Sequence, residues 1–403
     1  MQLIMKNRTM PYLSGRFFDG ISSGLFMMAL PWVMLETPGM GPFVAMVALA
    51  CTAISFFLTP LFSTLIDRHS RKSLLVLVQI LQSSTAAIVM LAYGLGIESN
   101  WLLATAQLVF WVSSNLAWTA NNAFTQENYG PHEYAAISGK QEIILQGTTL
   151  GAGALGVVLL QIWGMLEFAA FAAAASGLST LSYLVTPYRQ KLRQNKTTSF
   201  IGQMKESKEI FTAQPRFYAF LLLSALSYPI LTFLSKLVPI WFSEVGISGD
   251  WYAGYNIAFG LGSLMTGLFV AKLLNLASHQ STMLYSMAIA SVMLIGMSFS
   301  VHPAYLLIFT LFFGSFNALN RIARTNWMHH TIRVEQRGRA DGGLQMFATM
   351  IQSVSYTAIA LLSHYGITQY GFMLAAVSMI GAVLTMHQLN KHDDIEPEII
   401  VQN

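Results

Sequence analysis

Twelve stretches of about twenty mostly apolar residues, the length a helix needs to cross a bilayer, run through this chain. They cover residues 11–35, 42–66, 74–97, 101–124, 136–163, 165–187, 216–243, 251–274, 281–301, 303–324, 339–363 and 367–388. Hydrocarbon offers no partner to a backbone N–H or C=O, so only helices and closed barrels can span it. Barrel strands would be about ten residues long with strict alternation; these runs are longer and continuous. The sequence therefore predicts an all-α integral membrane protein. Only 10% of its 403 residues are charged and 54% are hydrophobic, against roughly 25% charged in a soluble domain. Too few charges are present to cover a surface in water, which excludes an ordinary soluble enzyme and a disordered chain. The first run follows Lys6 and Arg8, the charge order of a signal peptide. It is longer than a signal core and has no clear small-residue cleavage site, so it reads as a retained helix.

An even number of spans puts both ends of the chain on one side. Of the 22 lysines and arginines, all but Lys236 lie in the N-terminal segment, the loops after even-numbered spans, the helix ends beside them, or the C-terminal tail. The opposite loops hold acids instead: Glu36, Glu98, Glu167, Glu244 and Asp250. The positive-inside rule places both ends in the cytoplasm of a cell whose inner membrane holds the protein. The same asymmetry explains the net charge of +4 and the pI near 9.0, so no nucleic-acid partner is needed. The single cysteine, Cys51, permits no disulfide within the chain and no thiolate metal cluster.

The longest polar segment, 188–215, lies midway and is basic, with a short amphipathic helix predicted around Phe200–Phe211. It divides the chain into an N-terminal bundle of six helices (1–187), a linker (188–215) and a C-terminal bundle (216–403). The halves read as repeats. Arg16-Phe17-Phe18 opens the first span and Arg216-Phe217-Tyr218 the seventh. Phe110, Ser113 and Asn115 in the fourth span correspond to Phe312, Ser315 and Asn317 in the tenth, and Glu133 to Glu335.

Between spans 2 and 3 the chain reads Ser63-Thr64-Leu65-Ile66-Asp67-Arg68-His69-Ser70-Arg71-Lys72. This resembles the signature loop of the major facilitator superfamily, Gly-x-Leu-Ala-Asp-Arg-x-x-Arg-Arg/Lys, with Ser63 replacing the glycine. The replacement suggests looser packing of the second span there. The corresponding loop of the second half keeps only Gly267 and Lys272. In the fifth span, Gly147 to Gly156 is similar to the antiporter motif of the superfamily, with Ala152 in place of proline and Leu155 in place of glycine. Glu335-Gln336-Arg337-Gly338-Arg339 after the tenth span, with Arg16 and Pro31-Trp32, resembles the drug and siderophore efflux branch, the enterobactin exporter group. The resemblance implies twelve transmembrane helices in two pseudo-symmetric six-helix bundles, alternating access, and gating by Asp67, Arg68, Arg71 and Lys72.

Ionisable groups inside spans are functional candidates, because burial in lipid is costly. Asp19, two turns into the first span, is a proton-coupling candidate; a fixed ion pair with Arg16, three residues before it, is the competing reading. Glu142 is a second candidate, with an interfacial role beside Lys140 as its rival. Lys236 suits an anionic substrate group, or it snorkels outward. Asn317, Asn320 and Arg321, with Arg324, would form a basic vestibule faced by Asn115, Trp118, Asn121 and Asn122. His329-His330 reads as a loop pair with no metal-ligand spacing. No phosphate loop or covalent catalytic triad stands out. The expectation is a secondary active transporter, not an enzyme. It would export a small organic molecule, an anionic siderophore in the leading reading, by proton antiport. A multidrug exporter is the near alternative; a membrane-embedded transferase and a non-transporting receptor are remoter ones. Expected partners are the substrate, protons and the lipid bilayer; no cofactor or metal is expected, and the protein is read as a monomer.

Reporter fusions after Pro38, Glu98, Ile247 and Tyr365 should report the periplasm, and fusions near His69, Asn195, His330 and Ile395 the cytoplasm. A cytoplasmic signal at Glu98 or Ile247 would break the twelve-span map.

Overall fold

The computed structural model describes residues 2–37, 40–159, 162–188, 200–247, 249–300 and 302–391, and among these it contains helices and no strand. The helices are α1 (Gln2–Glu36), α2 (Gly41–Arg68), α3 (Arg71–Gly94), α4 (Asn100–Asn128), α5 (Tyr134–Leu159), α6 (Met165–Val185), α7 (Phe200–Ala213), α8 (Pro215–Ala225), α9 (Ser227–Glu244), α10 (Gly249–Leu273), α11 (His279–Ser298), α12 (Pro303–Thr331), α13 (Arg337–His364) and α14 (Tyr370–Asn390). A helix stands at each of the twelve predicted spans. Ten spans are long and apolar enough to cross a membrane. The other two, α4 and α5, have 29 and 26 residues, and α4 is diluted by Gln107, Asn115, Asn121 and Asn122. The amphipathic helix predicted before the seventh span is α7. The rest of the predicted linker, 189–199, and the tail beyond 391 lie outside the described residues. The seventh span is not one helix, as expected, but two: α8 and α9 meet at Leu226.

Local sequence sets the helix ends. Ser70, Ser99 and Ser278 cap α3, α4 and α11, each hydroxyl accepting from the backbone N–H three residues on, at 3.2–3.4 Å, a preferred use of serine. Pro303 occupies the first turn of α12, where its missing N–H costs nothing. Gly96 and Gly246, at φ +75° and +70°, end α3 and α9 in the left-handed conformation that a side chain resists. In each half a single 3-10 turn, Pro131–Glu133 and Val334–Gln336, leads into a long helix, α5 and α13.

The helices divide into two compact units. The first comprises Met1–Tyr129, Ile144–Lys196 and Val334–Arg339; the second comprises Gly130–Ile143, Thr197–Arg333 and Ala340–Asn403. In the first, α6 packs on α1 and α3, and α4 on α2 and α3. In the second, α14 packs on α8 and α11, and α12 on α10 and α11. The pairing among spans 1, 2, 3, 4 and 6 therefore recurs among spans 7, 8, 9, 10 and 12.

Lipid tails are as apolar as leucine, so helices in a membrane associate through close packing and hydrogen bonds. Small residues supply both. Ser22 of α1 bonds the Ala172 carbonyl at 3.1 Å and Ser176 at 2.8 Å, and Ser179 bonds the Gly15 carbonyl at 2.8 Å. In α5 the residues that meet α1 are Thr148, Ala152 and Gly156, against Gly20, Gly24 and Met28, while Gly147 and Gly151 face open space. Between α10 and α12, Ser315 bonds the Gly262 carbonyl at 3.0 Å and Ser263 that of Gly314 at 3.1 Å. Large apolar side chains such as Phe57, Leu49 and Leu268 are more than half exposed; on this scale such a surface fits lipid, not water.

A Cβ on Gly262 would run into the Leu311 carbonyl, whereas one on Gly147 meets nothing within 4 Å. Gly262→Ala should lower stability by about 1–3 kcal/mol, the usual cost of overpacking. Gly147→Ala should leave it unchanged or slightly raised, because alanine is the better helix former. Thermal unfolding of both variants in one detergent checks this; equal melting points would contradict the close approach.

Candidate functional site

The signature loop lies in the first unit, and its charges divide their tasks. Asp67, 8% exposed at the end of α2, receives the Gly338 N–H on Oδ1 at 2.8 Å. Its Oδ2 receives the Arg339 N–H at 3.3 Å and Arg339 Nε at 3.0 Å. A carboxylate here meets the unsatisfied N–H groups and the positive dipole end of α13. Arg71 is fully buried. It donates to the Ala123 carbonyl at 2.9 Å and to that of Val334, and lies 3.8 Å from the Glu127 carboxylate, which the Tyr188 hydroxyl also bonds. Lys72 donates to the Leu184 and Thr186 carbonyls at 2.7 and 2.8 Å, capping the end of α6. Arg68 is exposed. Packing around Ser63 is not loose as expected: Ser63 is 6% exposed. The glycine that allows close approach is on the facing helix, where a Cβ on Gly338 would sit 2.6 Å from the Ser63 carbonyl oxygen.

The second unit contains a crossing of the same kind. A Cβ on Gly139 would lie 2.6 Å from the Gly267 carbonyl oxygen. Gly267 stands where Ser63 does in the loop pattern, but Gly139 is the sixth residue of α5 and Gly338 the second of α13, so the glycines of the two crossings are not at equivalent positions. Ala271 stands where Asp67 does and offers no carboxylate. The charge is supplied nearby instead: Glu142, 3% exposed, forms an ion pair with Arg321.

Within the membrane-spanning part of the first unit, Asp19 is 8% exposed. Gln79 of α3 donates to its Oδ1 at 2.8 Å. The same amide nitrogen lies 3.3 Å from Gln82 Oε1, and Gln82 donates to Ser113 and Ser114 at 3.0 and 3.2 Å. A buried polar chain thus runs from α1 through α3 to α4. No hydrogen bond or ion pair joins Asp19 to Arg16 among the described residues; Arg16 lies over the ring of Trp118, 5.9 Å from its centroid. Asn115 donates to Ser55 of α2 at 3.1 Å.

Around the break in the seventh span, Asn320 donates to the Ser224 carbonyl at 3.0 Å and to Ser227 Oγ at 2.9 Å, and accepts from the Ser224 hydroxyl at 2.9 Å. Arg324 adds a bond to the Ser224 carbonyl at 2.8 Å. Both residues bond the polar groups of Ser224 and Ser227 that flank the break. Asn317 is buried with Oδ1 unpartnered. Lys236 is exposed, on the side of α9 away from the buried Phe233, Leu234, Leu237 and Val238. His329 and His330 are not in a loop: they end α12, with Tyr134 packed at 4.8 and 5.3 Å from their rings.

The structure thus brings together Asp67 with Arg339, Glu142 with Arg321, and Arg16 with Trp118, and among the described residues no hydrogen bond or ion pair joins Asp19 to Arg16. Sequence reasoning passed over Gln79 and Gln82. Two amides three residues apart in an apolar span were a signal, since that spacing puts both on one helix face.

Asp67→Asn keeps the shape but removes the charge that strengthens three hydrogen bonds. Insertion should be normal and turnover lowered about tenfold or more, the scale of one lost charged hydrogen bond. Wild-type turnover in a well-expressed variant would reduce the loop to a topology signal.

No curated protein matches the sequence. Several solved structures match the fold over nearly their whole length. A bacterial homologue of the iron transporter ferroportin, in an outward-facing state, aligns with TM-score 0.77 and 15% identity over 95% of this chain and 99% of its own. The human organic anion transporter MFSD10 (TETRAN) gives 0.80 and 11% over 94% and 99%. FucP in its outward conformation gives 0.74 and 13% over 94% and 98%. At these identities the likeness speaks for the fold alone. The sequence model of the Major Facilitator Superfamily matches residues 12–340, and with this all-helical, internally repeated architecture the chain belongs to that superfamily.

Proposed function

We propose that the protein is a secondary active transporter that exports a small organic anion, of the siderophore class, across the inner membrane by alternating access and proton antiport. The observation that carries the reading is the setting of Asp19. It is a buried carboxyl inside a span, and it is held by a neutral amide, Gln79, at 2.8 Å. A carboxylate locked to an arginine would have to break an ion pair in each cycle; one held by an amide can take up and release a proton in place.

Lys236 supplies the second support. It has no hydrogen bond or ion pair among the described residues, and a lysine within a span needs a compensating charge or a route to water. An anionic group on the substrate would provide the charge. Asp67 with Arg339 and Glu142 with Arg321 are then the paired charges that break and reform during the cycle. Both chain ends lie in the cytoplasm on this reading, the two sequence halves act as the two bundles, and the protein works as a monomer.

In proteoliposomes with an imposed pH gradient, Asp19→Asn should abolish gradient-driven flux of an organic anion such as 2,3-dihydroxybenzoate, while the variant stays folded. Lys236→Gln should weaken that anion roughly tenfold relative to its neutral amide, the scale of one charge-assisted contact. Gradient-driven flux through Asp19→Asn at the wild-type rate would remove Asp19 as the proton site. Equal effects of Lys236→Gln on acid and amide would leave Lys236 as a snorkelling residue.

A further inference from the structure

Arg16 is half-buried, and its Nε is fully buried without a hydrogen-bond partner. No hydrogen bond or ion pair from its guanidinium occurs among the described residues. The nearest carboxylate in sequence, Asp19, feels its charge but spends Oδ1 on Gln79. What Arg16 does have is the face of Trp118, 5.9 Å from guanidinium carbon to ring centroid.

Depth separates this pair from the residues that anchor helices at a membrane surface. Arg16 lies five residues into the first apolar stretch, 11–35, and Trp118 six residues before the end of the fourth, 101–124. At about 1.5 Å of rise per residue these are roughly 8 and 9 Å, inside the edge of a ~30 Å hydrocarbon core. An arginine at that depth is costly unless a partner compensates it. The buried Nε is out of reach of a ligand, but the two terminal NH2 groups make no hydrogen bond among the described residues and together form a fork that fits a carboxylate with two parallel bonds. Trp118 is still 37% exposed, which leaves indole surface for a flat apolar group.

We infer that Arg16 and Trp118 form a binding site for a carboxylate carried on an aromatic body, the carboxylate on the edge of the guanidinium and the ring against the indole. This rests on the reading of the protein as an organic-anion transporter and names the group in the first unit that receives the anion. Arg16 recognises charge and shape; Trp118 recognises the ring whether or not it carries charge.

Calorimetric titration of the purified full chain in nanodiscs with 2,3-dihydroxybenzoate and with 2,3-dihydroxybenzamide tests the site. Wild type should bind the acid more tightly than the amide. Arg16→Gln should weaken the acid by about tenfold to hundredfold, the range for hydrogen bonds to a charged group, and leave the amide unchanged. Trp118→Leu should weaken acid and amide by a similar factor. Arg16→Lys keeps the charge and loses the fork; it should also weaken only the acid, and it covers the case in which the glutamine variant does not fold. If wild type prefers the acid and both Arg16 variants keep that preference in full, this site is overturned while the anion-transport reading stands. If wild type binds the acid no better than the amide, or binds neither, the site and the anion reading fall together.

Discussion

Hydrocarbon solvates neither a charge nor a backbone carbonyl, and most of the polar architecture of this protein answers that single constraint. Arg71 has no exposure at all, yet its donors reach two backbone carbonyls and it neighbours Glu127. Lys72 closes the end of α6. Asn320 and Arg324 donate to the Ser224 carbonyl beside the break in the seventh span. In the sequence Arg71 and Lys72 read as gating residues and Asn320 and Arg324 as part of a substrate vestibule. The structure uses them to satisfy the backbone. The groups left over, among them Asp19 and Arg16, stand out because their neighbours do not account for their cost in the same way.

The two glycine crossings show how duplication and charge combine. Gly338 against Ser63 and Gly139 against Gly267 bring backbone onto backbone at the corresponding loops of the two halves. Close approach of this kind needs no side chain, so only one partner has to be glycine, which is how Ser63 replaces the glycine of the family pattern without loosening the contact. A carboxylate accompanies each crossing by a different route. Asp67 sits in the signature loop and meets a helix N-terminus. Glu142 comes from α5 and meets an arginine side chain. Asp67 thus has fixed N–H groups of a helix N-terminus as well as the Arg339 side chain, whereas Glu142 is paired with an arginine side chain.

The polar chain from Asp19 through Gln79 and Gln82 to Ser113 and Ser114 links α1, α3 and α4 of one unit. Ser113 is also one of the residues with a counterpart in the second half, Ser315, but there the hydroxyl bonds the Gly262 carbonyl of α10. The repeat preserves the helix pairing and small polar residues along it while the chemistry on that frame diverges. Asp19 stands three residues after Arg16 where Ala219 stands three after Arg216, the kind of asymmetry that duplication followed by specialisation leaves.

The sequence by itself determined the helical membrane fold, the twelve spans and the pairing of the chain into halves. Hydropathy and charge distribution are properties of composition along the chain, and lipid permits few alternatives to them. It also marked Asp67 and Asp19, because a carboxylate in or at the edge of an apolar run is costly to bury. Only the tertiary structure decided where each polar group finds its partner. Helical spacing allowed Arg16 to pair with Asp19, but Gln79, 60 residues away in sequence, takes that carboxylate and leaves Arg16 on Trp118. The break at Leu226 has a sequence mark in Pro229, which cannot donate to the Ala225 carbonyl, but the bonds of Asn320 and Arg324 to Ser224 come from α12 and had no such mark. Partners on other helices are set by register and crossing, which a single helix's sequence does not encode.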